Sequence, residues 1–135
     1  MTKRLRIDEG IIALCLAAME ANGHTSPAEL ERAHHLIWST RRFRHQDGDV
    51  VNQIVGKMRR LVETSDPEDV LDLAVRAVPP RLRAPAFAVL ADLLLADGRL
   101  DAQERAFLAR ISEALKIPSV KRRRIVDAIL VKNAL

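Results

Sequence analysis

Two stretches decide the fold: residues 16–29, LAAMEANGHTSPAE, and residues 93–104, LLLADGRLDAQE. Each runs from an apolar helical segment into Asn22-Gly23 or Asp97-Gly98. A helix-start signal follows three residues after the glycine, Ser26 in one copy and Asp101 in the other. The matched positions stand 75 residues apart throughout. A glycine after an apolar run supplies the left-handed residue that ends a helix. Ser26 with Glu29, and Asp101 with Glu104, have the N-cap and N3 spacing of a capping box. The duplication therefore predicts two related helical hairpins in an all-α chain.

Working outward, helical periodicity predicts seven helices. The first, from about Asp8 to Ala21, carries Ile11, Leu14, Cys15, Ala18 and Met19 on one face, and Ile12 and Leu16 make it apolar nearly all round. Such a helix belongs at the centre of the fold. The second begins at Ser26 with Pro27 at its first position and is expected to run to about Arg42. Asp49 is the expected cap of the third, whose stripe is Val51, Ile54, Val55, Met58 and Val62. Asp66 and Pro67 open the fourth, and Pro79-Pro80 stop it. The fifth is expected to reach Ala96, with Pro85 either bending its first turns or marking its true start. Asp101 caps the sixth. Pro118-Ser119 separates it from the seventh, which carries Ile125, Val126, Ile129 and Leu130 inward. No stretch alternates as a strand would.

The chain has 135 residues, and 48% apolar with 30% charged residues describes a folded globular chain rather than a disordered one. A length of this order can bury a core without a metal or a disulfide, and one domain over residues 1–135 is expected. Cys15 is the one cysteine, so no intramolecular disulfide is available. Its leucine neighbours predict burial. Lys3, Arg4 and Arg6 before the apolar run imitate a signal peptide, but Asp8, Glu9 and Glu20 interrupt the pattern. The run from Ile11 to Met19 is too short to span a bilayer, which needs about 20 residues. A cytoplasmic location is expected.

Asp97, Asp101 and Glu104 gather three carboxylates within eight residues, with Asp92 just over one helical turn before Asp97. Two readings stand. In one, these groups cap helices and close a turn. In the other they also hold Ca2+ or another divalent cation, which requires several converging oxygens. The spacing is not that of an EF-hand loop, since Arg99 holds the third position counted from Asp97. In the first copy Asn22 and Ser26 stand where Asp97 and Asp101 stand in the second.

The net charge of +4 permits an anionic partner without requiring one. Basic residues cluster at Lys121, Arg122, Arg123 and Arg124, and again at Arg41, Arg42 and Arg44. Four consecutive basic residues fan around a helix rather than forming one flat patch. No zinc spacing, recognition-helix pattern or aromatic stacking platform accompanies them. His34 and His35 point in different directions on a helix, and Glu31 with His35 has the spacing of a surface pair. His24 and His45 fall in loops. No metalloprotease helix, nucleophile elbow or glycine-rich phosphate loop occurs, so no enzymatic activity is expected.

The segment from Leu90 to Leu108, with its Ala96-Asp97-Gly98 followed by an acid-rich helix start, resembles the TerB-like family. That family is named for tellurite-resistance proteins and is also seen as a domain in DjlA-type co-chaperones. The resemblance covers nearly the whole chain, and Asp97, Gly98 and Glu104 match the recurring element. It implies an all-helical fold with pseudo-twofold hairpins, an association with metal or toxic-oxyanion stress, and divalent cation binding by acidic residues. A non-enzymatic module with a protein partner is the expected function, in a metal, tellurite or envelope stress response. A basic module for nucleic acid or an anionic membrane surface is the alternative.

Overall fold

The computed structural model describes residues 4–135. Lys3, part of the charge pattern before the first apolar run, lies outside the described residues. The chain forms seven helices, α1 (Ile7–Ala21), α2 (Pro27–Ser39), α3 (Gly48–Thr64), α4 (Pro67–Ala77), α5 (Pro80–Leu94), α6 (Ala102–Ala114) and α7 (Ser119–Asn133), with no strand among the described residues. Buried residues from all seven join one hydrophobic cluster.

Helix α1 is the centre. Every residue from Glu9 to Met19 is buried, because α3, α4 and α5 pack around it. Cys15 is fully buried within this helix, and desolvation pushes its thiol up to about 12. It is a small apolar filler that stays protonated at neutral pH. Helix α2 seats on α5, while α5, α6 and α7 pack on one another. The close approach of α1 to α4 depends on Gly10: a Cβ there would lie 2.6 Å from the Ala77 Cβ and 3.1 Å from the Ala74 carbonyl oxygen.

Local chemistry explains most helix ends. Ser26, Asp66 and Asp101 accept a backbone N–H at the starts of α2, α4 and α6. Three boundaries differ from the sequence reading. Helix α2 ends at Ser39 rather than near Arg42, since Thr40 is extended and Phe43 turns into the core through Arg41–His45. Asp47 rather than Asp49 caps α3, accepting the Asp49 amide at 2.7 Å. Helix α5 begins at Pro80, stops at Leu94 and keeps Pro85 inside it. Pro85 has no amide to offer the Arg81 carbonyl one turn back. At the end of α6, Lys116 adopts φ +58°, a left-handed residue that stops the helix.

Gly10→Ala should cost about 1–3 kcal/mol, because the added methyl meets Ala77 and the α4 backbone. Gly56→Ala, where a Cβ meets nothing within 4 Å, should instead stabilise by roughly 0.5–1 kcal/mol. Urea denaturation of both variants reads the contrast; equal effects would remove Gly10 as a point of close packing between α1 and α4. Cys15 should resist thiol reagents in the native protein and react only on unfolding, which a timed alkylation with and without urea would show.

Candidate functional site

The two duplicated corners are built alike. Gly23 has φ +71° and Gly98 has φ +78°, each in the left-handed region that ends the preceding helix. In the first corner the Glu29 amide donates to Ser26 Oγ at 3.2 Å, and Glu29 Oε1 accepts the Ser26 amide at 3.3 Å and its hydroxyl at 2.8 Å. In the second, the Glu104 amide donates to Asp101 Oδ1 at 2.7 Å and Glu104 Oε1 accepts the Asp101 amide at 3.2 Å. The capping boxes read from the sequence are both present.

A contact without a sequence signature joins the corners. The His24 ring lies between the two capping glutamates: Nε2 is 2.9 Å from Glu104 Oε2, and Nδ1 is 2.7 Å from Glu29 Oε2, the latter off the line of a hydrogen bond. A neutral ring has one N–H and can donate to one carboxylate; a protonated ring donates to both. Gln103 adds a second tie, donating from Nε2 to the Ala21 carbonyl at 3.1 Å. His24, read as a loop histidine, is thus the clasp between α2 and α6. Because its two nitrogens face opposite carboxylates, no single ion can take all three groups.

The acidic residues of the second corner are already engaged. Besides its capping bond, Glu104 is buried and holds His24. Asp97 Oδ1 accepts the Arg99 amide at 3.0 Å, closing the turn. Asp92 takes Lys132 Nζ at 3.0 Å and Asn133 Nδ2 at 2.9 Å. Helix α7 therefore docks its end over this corner, with the Asn133 carbonyl 3.1 Å from where a Gly98 Cβ would stand. Among the described residues no group of three or more His, Cys, Asp or Glu side chains is placed to hold a metal ion. Asp97 and Asp101 each give one oxygen to a backbone amide, Glu104 divides its two between the Asp101 amide and His24, and Asp92 holds the end of α7.

Burial tends to raise the Glu9 carboxyl. The Arg6 amide at 2.9 Å and Lys57 Nζ at 2.8 Å outweigh it, so its pKa lies below the ordinary 4.5. The Ser26 hydroxyl holds Glu29 below the same value against a smaller effect of burial, with the Ser26 amide and His24 assisting.

The basic residues separate into two groups. In α7, Lys121, Arg123 and Arg124 are exposed around the helix, and Arg122 turns inward to donate to Ser112 Oγ at 3.4 Å. Arg41, Arg42 and Arg44 occupy the turn after α2. Arg42 pairs with Asp8 of α1, and Arg44 donates to the neighbouring His45. Glu31 and His35 are a surface pair at 3.8 Å with both side chains about three-quarters exposed.

Beside this turn lies an open apolar groove of about 720 Å³ between α1, α2 and α5. Ile11, Ile37, Leu82, Pro85, Ala86 and Val89 line it, with Arg41 and Arg42 at its edge. Pro85 contributes its ring to the wall. Six helices about one buried apolar helix, with paired glycine corners, describe an all-helical fold. The chain matches the model of the family described as tellurite resistance protein TerB over residues 8–127, and it belongs to that family. No curated protein and no solved structure matches it. No helix among the described residues is long and apolar enough to cross a membrane.

His24→Ala should cost about 1–3 kcal/mol by leaving the buried Glu104 carboxylate unpaired on that side, and adding Glu104→Gln should recover part of the loss. Chemical denaturation checks both; an unchanged His24→Ala midpoint would mean that the clasp contributes nothing. Glu9 and Glu29 bind protons less tightly in the folded state than their ordinary 4.5. Their stabilisation is full above that value and is lost as the pH falls through the lower folded values. Denaturation midpoints should therefore hold near neutrality and drop below about pH 4.5, with a shallower drop in Glu9→Gln.

Proposed function

We propose that this TerB-family chain is a non-enzymatic protein-interaction module of a tellurite-resistance-related, cytoplasmic system. Its apolar groove docks a short partner segment with apolar residues on one face and an acidic residue at its end. The single observation that supports this reading is the groove itself. It is roomy, open and predominantly apolar, on a family fold whose remaining apolar surface is largely consumed in one core. A concave apolar surface edged by a few polar groups is the usual form of a recognition site. The arginine edge selects the occupant: Arg41 is exposed and in no ion pair among the described residues, so an acidic group on the docked segment meets a complementary charge. An amphipathic helix would present its anchors at i, i+3 or i+4 and i+7 along such a groove.

A display selection of short peptides on the purified protein tests the proposal. Enriched sequences should carry apolar residues at helical spacing with a flanking Asp or Glu. Val89→Glu should weaken their binding by tenfold or more, a change of about 1.4 kcal/mol, while melting temperature stays near that of the parent. Peptides whose binding ignores Val89→Glu would overturn the assignment of the groove.

A further inference from the structure

Next to the apolar groove, and sharing Arg42 and Gln46 with it, is a second cleft of about 700 Å³. Its character is different. Arg4 and Arg6 reach it from the segment leading into α1, Arg42 from the turn after α2, and Arg76 from the last turn of α4. Four arginines from three separate parts of the chain thus line one polar hollow, and Asp8 is the one acidic residue among its lining.

The charges do not cancel. Asp8 is taken by Arg42 and by Gln46 Nε2 at 3.2 Å. Arg76 holds Asp72 at 2.9 Å in a pair more than half exposed on both sides, so water screens it. Arg6 is 3.8 Å from Glu9 Oε1, and Glu9 Oε2 is occupied by Lys57 at 2.8 Å. Arg4 is in no ion pair among the described residues. Like charges gathered in a hollow repel one another unless an anion sits between them. The guanidinium fork matches the oxygens of a phosphate in paired hydrogen bonds.

We propose that this cleft binds a phosphate group, with Arg4, Arg6 and Arg76 as its principal donors and Arg42 fixing the wall it shares with the groove. The site does not depend on the groove's being a docking surface. The same chemistry is offered by a free phosphorylated small molecule and by a phosphorylated side chain.

The test is calorimetric titration of the full chain at constant, low ionic strength, with inorganic pyrophosphate for the free source and O-phosphoserine for the protein-borne one. Saturable binding of either probe is expected, and the tighter of the two identifies the source. Arg4→Gln with Arg76→Gln should weaken it by about tenfold or more, as charge-assisted contacts do. Both side chains are exposed, so the double variant should keep its helical circular dichroism. Arg123→Gln with Arg124→Gln, which removes the same charge from α7, should leave binding within about twofold if the effect is local. No saturation by either probe, or an equal loss in both double variants, would overturn the proposal. A Val89→Glu variant that loses peptides yet keeps pyrophosphate separates this site from the groove.

Discussion

The close approach of Gly10 in α1 to Ala74 and Ala77 of α4 is the constraint on which the rest depends. A helix as uniformly apolar as α1 is stable in water only when wrapped on most sides. Gly10 lets α4 come near enough to cover one side, while α3 and α5 cover others. Once α1 is enclosed, its two ends become fixed platforms. Its start carries Asp8 toward the turn after α2 and Glu9 toward α3, and its end presents the Ala21 carbonyl and, just beyond, His24 to α6. Both candidate binding surfaces are built against the flanks of this one buried helix.

The polar contacts follow from that enclosure. Glu9 is a buried carboxylate in an otherwise apolar stretch, and its oxygens are satisfied by the Arg6 amide and by Lys57 of α3. Leaving such a group unpaired in a protein interior is expensive, so its partners fix the register of α1 against α3. Glu104 plays the corresponding part at the other end, sharing itself between its own helix start and His24. The duplicated corners are therefore equivalent in their caps yet different in their outer contacts: the first meets α6 through His24, whereas α7 closes over the second.

What could be read from the sequence was local. Gly23 and Gly98, the Ser26–Glu29 and Asp101–Glu104 boxes, Pro67 and Pro79-Pro80 act over three or four residues, and the helices they delimit stand where their spacing places them. The misplaced boundaries have local causes too. Asp47 and Asp49 both suit a cap, and only the path of the turn after Phe43 chooses between them. Pro85 sits in a helix because tertiary packing on α1 and α2 outweighs the amide it lacks. The sites were less legible for a different reason. The Arg4, Arg6, Arg42 and Arg76 cleft is assembled from segments more than thirty residues apart, and His24 meets a glutamate 80 residues away. No window along the chain contains those neighbours. The acidic loop shows the converse, since carboxylates close in sequence give oxygens to backbone amides, to His24 and to α7.

The order of synthesis gives α1 a particular exposure. It is the first of the seven helices to leave the ribosome, and the partners that enclose it, α3, α4 and α5, lie as much as seventy residues later. The His24 clasp is completed only when α6 has also emerged. Until then the nascent chain presents its most apolar segment uncovered, the condition in which chains associate wrongly or recruit chaperones. A fold centred on the first of these helices thus ties the burial of α1 to the emergence of α5, and a chain cut before α5 would retain the sticky helix without its cover.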